Sequence, residues 1–365
     1  MYISENSGHH HASLAIEKAF HMLSDDVEVR GVNSFHYTNP ILEKIVNRTY
    51  MSVIKNRPEV WGYLYDNPKV VRGTQRLKES IHRYNSGKMK KLIDEFMPDA
   101  VACTQAFPCG IIADYKKSSG AKLLLAGVLT DYAPHSYWIY DSVDMYFVPS
   151  EETGAKLAAN GVAKDRIQRV GIPIDPKFNR INNKEKILNS LGLSAAEPVI
   201  LVMGGSQGIG PMIEIARILD GLEMPVQVIA VTGNNKKIYA GLKKIIPSFR
   251  RKFLVFGYTE NIDELMEVSS FIISKPGGIT VSEALSKALP ILIVDPIPGH
   301  EAMNTEHLVK NKVAIRVENL RDLGIIAKEL LSNSSALANM KDRAKAFSSP
   351  DSASRIARAV LTRIM

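Results

Sequence analysis

Two short apolar runs, Phe271–Ile273 and Pro290–Val294, each end in a Pro/Gly loop, with a helical stretch between them. Apolar runs of this length, cut off by turn residues, read as buried strands. Strands alternating with helices argue for parallel sheets covered by helices. Two such strand ends side by side form a crevice, and ligands of open α/β sheets bind outside the carboxyl ends of strands. The first loop carries Gly277, Gly278 and Thr280, with Glu283 early in the helix; the second carries His300, Glu301 and Asn304. Paired glycines let a ligand approach the backbone closely. The helix N-terminus behind them offers N–H groups to an anion. The element is a candidate phosphate site, with Glu283 placed to accept hydrogen bonds from hydroxyls such as those of a ribose. A second reading stays open, because Thr280-x-x-Glu283 also fits a capping box in which the acid serves its own helix.

The same alternation runs through the chain. Ala100–Cys103, residues 122–128, Met145–Val148, Val199–Met203, residues 226–231 and residues 253–256 read as further strands, and 170–175 as a strand leading into a turn. Residues 12–23 read as a helix with Ala15, Ile16, Ala19, Phe20 and Leu23 along one face. Residues 152–160 read as a helix ended by Gly161, and 352–365 as a basic amphipathic helix. The stretch 176–197 is polar and reads as a linker. The expected organisation is therefore two α/β domains, 1–175 and 198–345, joined by 176–197, with 346–365 as a C-terminal helix.

The bulk properties exclude several classes. Two cysteines, Cys103 and Cys109, in 365 residues rule out a disulfide framework and point to a cytosolic protein. No apolar run reaches the ~20 residues of a membrane span. Residues 1–11 lack the basic and apolar regions of a signal peptide. The net charge of +8 is unevenly spread: 44–91 holds twelve Lys/Arg against Glu59, Asp66 and Glu79, with Tyr50, Trp61, Tyr63, Tyr65 and Tyr84 among them. Basic and aromatic residues together suit an anionic membrane surface. Nucleic acid attracts the same charges, and a solvated helix face is the structural alternative; the reading adopted is the membrane, with no nucleic-acid partner.

Three further constellations bear on chemistry. Ser7-Gly8-His9-His10-His11 is a glycine turn opening a helix, and His9 is a candidate general base because imidazole titrates near working pH. A surface or capping histidine is the alternative. Gly204-Gly205-Ser206-Gln207-Gly208 follows an apolar strand and is a candidate phosphate cradle. It is a poor dinucleotide fingerprint, since no acid closes the next strand. Thr130-Asp131 through His135 and Trp138 follow another strand, so Asp131 and His135 are candidates to orient or deprotonate a hydroxyl, with an Asx turn beside a buried Trp as the alternative. No Asp-x-Asp motif and no Cys/His zinc spacing is present, and no metal is expected.

Taken together, these motifs resemble the monogalactosyldiacylglycerol synthases and processive diacylglycerol glucosyltransferases. The resemblance rests on Ser7-Gly8-His9, Thr130-Asp131 to His135 and Trp138, Gly171-Ile-Pro-Ile174, Lys275-Pro-Gly-Gly-Ile-Thr-Val-Ser-Glu283, and Pro298-Gly-His-Glu301-x-x-Asn304, in that order over nearly the whole chain. The Gly-Gly-Ser-Gln-Gly loop at 204–208 is also similar to the GlcNAc transferase that forms lipid II. The resemblance implies an α/β, GT-B fold: two Rossmann-like domains facing across a cleft, lipid acceptor on the first, UDP-sugar on the second, and the final helix returning to the first.

By the same resemblance, Glu283 binds the uridine ribose, and Gly277, Gly278 and Thr280 the diphosphate. Gly205, Ser206 and Gln207 lie near the phosphates, the backbone near Tyr258 reads uracil, and the loop with His300, Glu301 and Asn304 faces the sugar. His9 is the implied base, with Asp131 and His135 beside it. The expected reaction is inverting transfer of a hexose from a UDP-sugar to diacylglycerol without a metal or cofactor, by a cytoplasmic protein peripheral on the inner face of the cell membrane. The alternatives are another acceptor (a polyprenyl-linked saccharide or a small molecule) or a nucleotide-sugar-binding protein without turnover. Many relatives have Gln where this chain has His300, which leaves the donor sugar open. Only Met1–Ser4 precede the first turn, where the family has more apolar residues; a late start codon or a truncated chain would account for this.

Overall fold

The computed structural model of the chain describes residues 1–40, 44, 87–133 and 136–365, with Ser136 by its backbone alone. They form two compact units: Met1–Pro176 with Ile297–Met303 and Ser349–Met365, and Lys177–Pro296 with Asn304–Ser348. Each holds its own parallel sheet. The basic segment 44–91 lies outside the described residues, apart from Lys44 and 87–91.

In the first unit the strands β1 (Ala100–Cys103), β2 (Leu124–Val128), β3 (Met145–Val148) and β4 (Ile167–Arg169) pair in that order. Side chains alternate across a strand, and the core shows it. Met145 and Phe147 face the helices α1 (Gly8–Leu23) and α13 (Ser352–Ile364), while Tyr146 and Val148 face α3 (Ala106–Ser119); α4 (Glu151–Ala159) follows β3. Ala15 and Ala19 of α1 are buried with Ala353 and Ala357 of α13, and small side chains of this kind allow two helices to approach closely. Ile356, Phe20 and Val360 fill the remaining space, each contributing about 1.5–3 kcal/mol by burial. Cys103 and Cys109 are both fully buried thiols, not joined in a disulfide.

The edge beyond β1 determines where the site falls. The Thr104 N–H donates to Met1 O, and Tyr2 bridges Asn33 in parallel, so the order across this edge is Asn33, Tyr2, β1. The chain leaves Tyr2 through α1 toward Asn33 on one side, and later runs β1 to β4 on the other. That reversal is a topological switch point. α1 begins there, with Ser7 as N-cap accepting from the His10 N–H. A short helix α2 (Ser34–Thr38) follows Asn33.

In the second unit the sheet order is β10 (Ala314–Arg316), β9 (Ile291–Ile293), β8 (Phe271–Ser274), β5 (Val199–Met203), β6 (Gln227–Val231), β7 (Lys252–Phe256). All pairs are parallel, and β5 and β8 register Met203 opposite Ser274. From β5 the chain moves outward to β7, then crosses back to β8 and on to β10, so the switch point lies between β5 and β8. The loops after Met203 and Ser274 leave the sheet side by side. The covering helices include α6 (Met212–Asp220), α7 (Lys236–Ile245), α8 (Ile262–Val268), α9 (Gly278–Ser286), α11 (Leu323–Ser332) and α12 (Ser334–Phe347). Helix α10 (His300–Lys310) has its first turn in the first unit and the rest in the second.

Two local expectations change. Residues 170–175 are not a strand: Gly171 has φ +92 and Pro173 has no N–H, so the ladder ends with β4 at Arg169. A Cβ on Gly171 would lie 2.4 Å from Ser349 Cβ, and Ser352 Oγ donates to Ile172 O at 2.7 Å, which ties this stretch to the start of α13. The polar stretch 176–197 holds a helix, α5 (Lys184–Ser190), with Asn183 as its N-cap. It packs on α8, where Lys184 and Lys287 both pair with Glu267 (3.8 and 2.9 Å).

Candidate functional site

In the first unit the site is built at the switch point. His9 sits in the first turn of α1, behind the Gly8 turn. Its Nδ1 lies 2.8 Å from Thr104 O and 2.9 Å from Thr130 Oγ1. Thr104, one residue past β1, in turn donates its hydroxyl to His9 O at 2.7 Å. A carbonyl oxygen only accepts, so the neutral ring carries its proton on Nδ1 and leaves the Nε2 lone pair unprotonated. Loss of hydration lowers the His9 pKa from its ordinary value, against the opposing charge of Asp131 and the bond to Thr104. The ring is half-buried and neutral at neutral pH, the state a general base requires.

Asp131 is half-buried one residue after Thr130. His135 lies outside the described residues. Trp138 is buried and packs in the core of this unit. His10 turns away from His9 and stacks on Tyr2 with ring centroids 4.3 Å apart.

In the second unit the two glycine loops meet the switch point from β5 and β8. The 204–208 loop is locked by backbone against the turn after β6: Asn234 N–H donates to Ser206 O at 2.8 Å, and a Cβ on Gly208 would lie 2.0 Å from Thr232 O. Gly208 and Gly233 both have positive φ, +58 and +54, so only glycine suits this back-to-back contact. Gly205 and Gly277 have nothing within 4 Å of a Cβ position, so both keep open space beside the backbone. Ser206 is half-buried and Gln207 exposed.

Gly277 is the N-cap of α9 and has no side chain with which to cap it. Thr280 therefore lies inside the helix, and the capping-box alternative for Thr280 and Glu283 does not hold. Glu283 is half-buried on the second turn. Tyr258, two residues beyond β7, is half exposed.

The second loop straddles the two units. His300 is half-buried, and Glu301 is buried with its Oε2 accepting from Ile297 N–H at 2.7 Å. Asn304 is fully buried, and its Nδ2 donates to Pro276 O at 3.0 Å, bracing the turn that precedes Gly277.

Two residues without a role in the sequence reading stand out. Lys275 pairs with Asp295 at 3.0 Å, and its Cε is 3.8 Å from a Cβ position on Gly210, so a cation sits between both loops. Asn235 accepts from Ile238 N–H at 3.0 Å, capping α7, and donates to Gly208 O at 2.9 Å. An Asn just ahead of a helical run was a visible cap signal; its second bond was not. Among the described residues no cluster of three or more His, Cys, Asp or Glu is arranged to hold a metal.

Comparison with known proteins identifies both halves. Residues 9–174 match the family model of monogalactosyldiacylglycerol (MGDG) synthase, and residues 199–356 that of the glycosyltransferase family 28 C-terminal domain. A processive diacylglycerol beta-glucosyltransferase of Bacillus cytotoxicus is 29% identical over 358 residues, covering 97% of this chain and 90% of the relative. Its namesake from Bacillus pumilus is 26% identical over 317 residues, 86% of this chain and 82% of the relative. Among solved structures, MurG of Acinetobacter baumannii superposes with a TM-score of 0.57 at 15% identity, covering 76% of this chain and 77% of its own. MnaA of S. aureus, solved with UDP, superposes with a TM-score of 0.65 at 15% identity, covering 100% and 97%.

The fold is thus that of the GT-B glycosyltransferases. The chain carries an MGDG synthase domain followed by a glycosyltransferase family 28 C-terminal domain, and over most of its length it is similar to processive diacylglycerol beta-glucosyltransferases.

Proposed function

We propose that the protein transfers a hexose from a UDP-sugar to diacylglycerol, inverting and without a metal, as a peripheral protein on the cytoplasmic face of the cell membrane. The observation that carries the chemistry is the bond from His9 Nδ1 to Thr104 O, which presents Nε2 as a base. The relatives' names support the acceptor and a beta product. A UDP-hexose carries its sugar in the α linkage, so a beta product requires inversion.

In this reading the acceptor hydroxyl gives its proton to His9 Nε2 as its oxygen attacks the anomeric carbon. The bond from that carbon to the diphosphate breaks, and UDP leaves with the electron pair. Backbone N–H groups at Gly277, Gly278 and Thr280 and in the Gly205–Gln207 loop stabilise the departing charge. Lys275 supplies a positive charge between the two loops. Glu283 accepts from the ribose hydroxyls, the backbone near Tyr258 reads uracil, and the loop of His300 and Glu301, with Asn304 behind it, shapes the sugar pocket. Basic segment 44–91 attracts the anionic membrane.

The test is UDP release with diacylglycerol in anionic liposomes, comparing UDP-glucose, UDP-galactose and UDP-GlcNAc. Lipid-dependent release with one donor supports the reading and names the sugar. UDP binding with no lipid-dependent release from any of them would overturn the acceptor assignment.

A further inference from the structure

Helix α7 and the strand that follows it carry a charge pattern unlike the rest of the second unit. From Lys236 to Lys252 the chain holds seven cations (Lys236, Lys237, Lys243, Lys244, Arg250, Arg251, Lys252) and no acid. Lys236 and Lys243, and Lys237 and Lys244, are seven residues apart, so the four lysines share one face of α7. That face is exposed, while Leu242 is fully buried and Ile238 and Ile245 pack on the core. Among the described residues none of the seven head groups pairs with a carboxylate. Arg250 and Arg251 donate to the carbonyls of Asp220 and Leu222, and Lys252 to that of Gly192. Asp220 itself accepts from the backbone N–H groups of Arg250 and Arg251 (2.7 and 2.9 Å). Tyr239 lies exposed on the same side, with Lys243 Nζ 5.8 Å from its ring centre.

A solvated charged helix is ordinarily laced with both signs. Seven cations with no acid among them repel one another, and an anionic partner relieves that repulsion. We propose that this face of the second unit is a contact surface for anionic lipid headgroups, separate from segment 44–91. The inference rests on the reading that the acceptor is a membrane lipid. An exposed Tyr beside lysines suits the headgroup layer, whereas a single exposed aromatic is no stacking platform for single-stranded nucleic acid. The apolar side of α7 is already buried in its own unit, so the contact is electrostatic, sensitive to salt, and does not insert.

The experiment uses the full chain and a variant with Lys237, Lys243, Lys244 and Arg250 all changed to Gln. A charge-matched control changes Lys117, Lys122, Lys156 and Lys164 to Gln. Flotation is measured on phosphatidylcholine vesicles and on roughly 3:1 phosphatidylcholine:phosphatidylglycerol vesicles. UDP affinity and Tm report the fold. Each engaged charge is worth about fivefold in partitioning. The expected result is a loss of at least about tenfold for the α7 variant on anionic vesicles, with the control, UDP affinity and Tm little changed. Equal losses in both variants would show a net-charge effect and overturn the proposal. So would unchanged flotation of the α7 variant, or a loss confined to a polyuridylate probe. UDP release from diacylglycerol in neutral detergent micelles keeps the two readings apart. If the full chain is inactive there yet the α7 variant loses vesicle binding, the enzymatic reading fails and the surface stands. If the full chain is active and flotation is unchanged in the variant, the surface fails alone.

Discussion

His9 and Thr104 are joined by a 2.8 Å contact from the ring Nδ1 to the backbone carbonyl, and the hydroxyl of Thr104 returns a bond to the carbonyl of His9 at 2.7 Å. The pair fixes both the ring orientation and the tautomer. His9→Gln is expected to lower kcat by about 10²–10⁴-fold with UDP affinity unchanged, because a general base typically contributes that much. Burial lowers the His9 pKa, so the acid limb of kcat/KM against pH is expected below the ordinary histidine range. Kinetics across pH 5–8 read both; an equal loss of UDP affinity would sink the assignment.

The same lowered pKa makes a stability statement. Between the folded and unfolded pKa values the unfolded chain binds more protons at His9, so stability rises with pH there. It is full above the unfolded value and is lost as pH falls toward the folded one. Denaturant melts on the wild type and His9→Gln are expected to diverge on acidification, the variant losing less. Parallel curves would show that His9 stays hydrated in the folded state.

Glu283 lies on α9 without capping it, since Gly277 is the N-cap. Glu283→Ala is therefore expected to weaken UDP binding by about tenfold or more, the scale of a hydrogen bond to a charged group, with Tm little changed. Calorimetric titration of UDP beside a thermal melt measures this. Unchanged affinity with a lowered Tm would return Glu283 to a structural role.

Asn235 performs two tasks, and they can be separated. Ser and Asp both cap helices well, but the Asp carboxylate has no proton for Gly208 O, and the shorter Ser side chain has one hydroxyl in place of the separate acceptor and donor atoms of the Asn235 amide. Asn235→Ser is expected to hold Tm within a few degrees while weakening UDP binding by roughly fivefold, the cost of about one hydrogen bond. Asn235→Asp should weaken it further, since the new charge lies against the loop proposed to hold the diphosphate. If affinity falls only in step with Tm, the clamp on the 204–208 loop has no bearing on the nucleotide.

Much of the fold was legible in local pattern. Ala100–Cys103, Met145–Val148 and Val199–Met203 are strands with the bounds their apolar runs suggested, because a buried parallel strand is continuous apolar residues ended by turn formers. The stretch 170–175 misled for a definable reason: apolar Val170, Ile172 and Ile174 are buried, yet Gly171 at φ +92 and Pro173 deny them a ladder. Lys275 was visible in its motif, but its place between the two loops depends on β5 and β8 being neighbours.

The amino-acid sequence by itself determined the alternation of strand and helix, the glycine turns after Met203 and Ser274, and the histidine that opens α1. Those are short-range properties of hydrophobic period, φ freedom and helix entry. Tertiary structure alone decided which loops meet. Strand order put Thr104 and Thr130, 95 and 121 residues from His9 in sequence, against its ring, and it dehydrated that ring, which lowers its pKa. It also laid Gly208 on Thr232 and brought Asn235 across to hold it. Contacts of that range follow from how a sheet is ordered, and no local pattern encodes them.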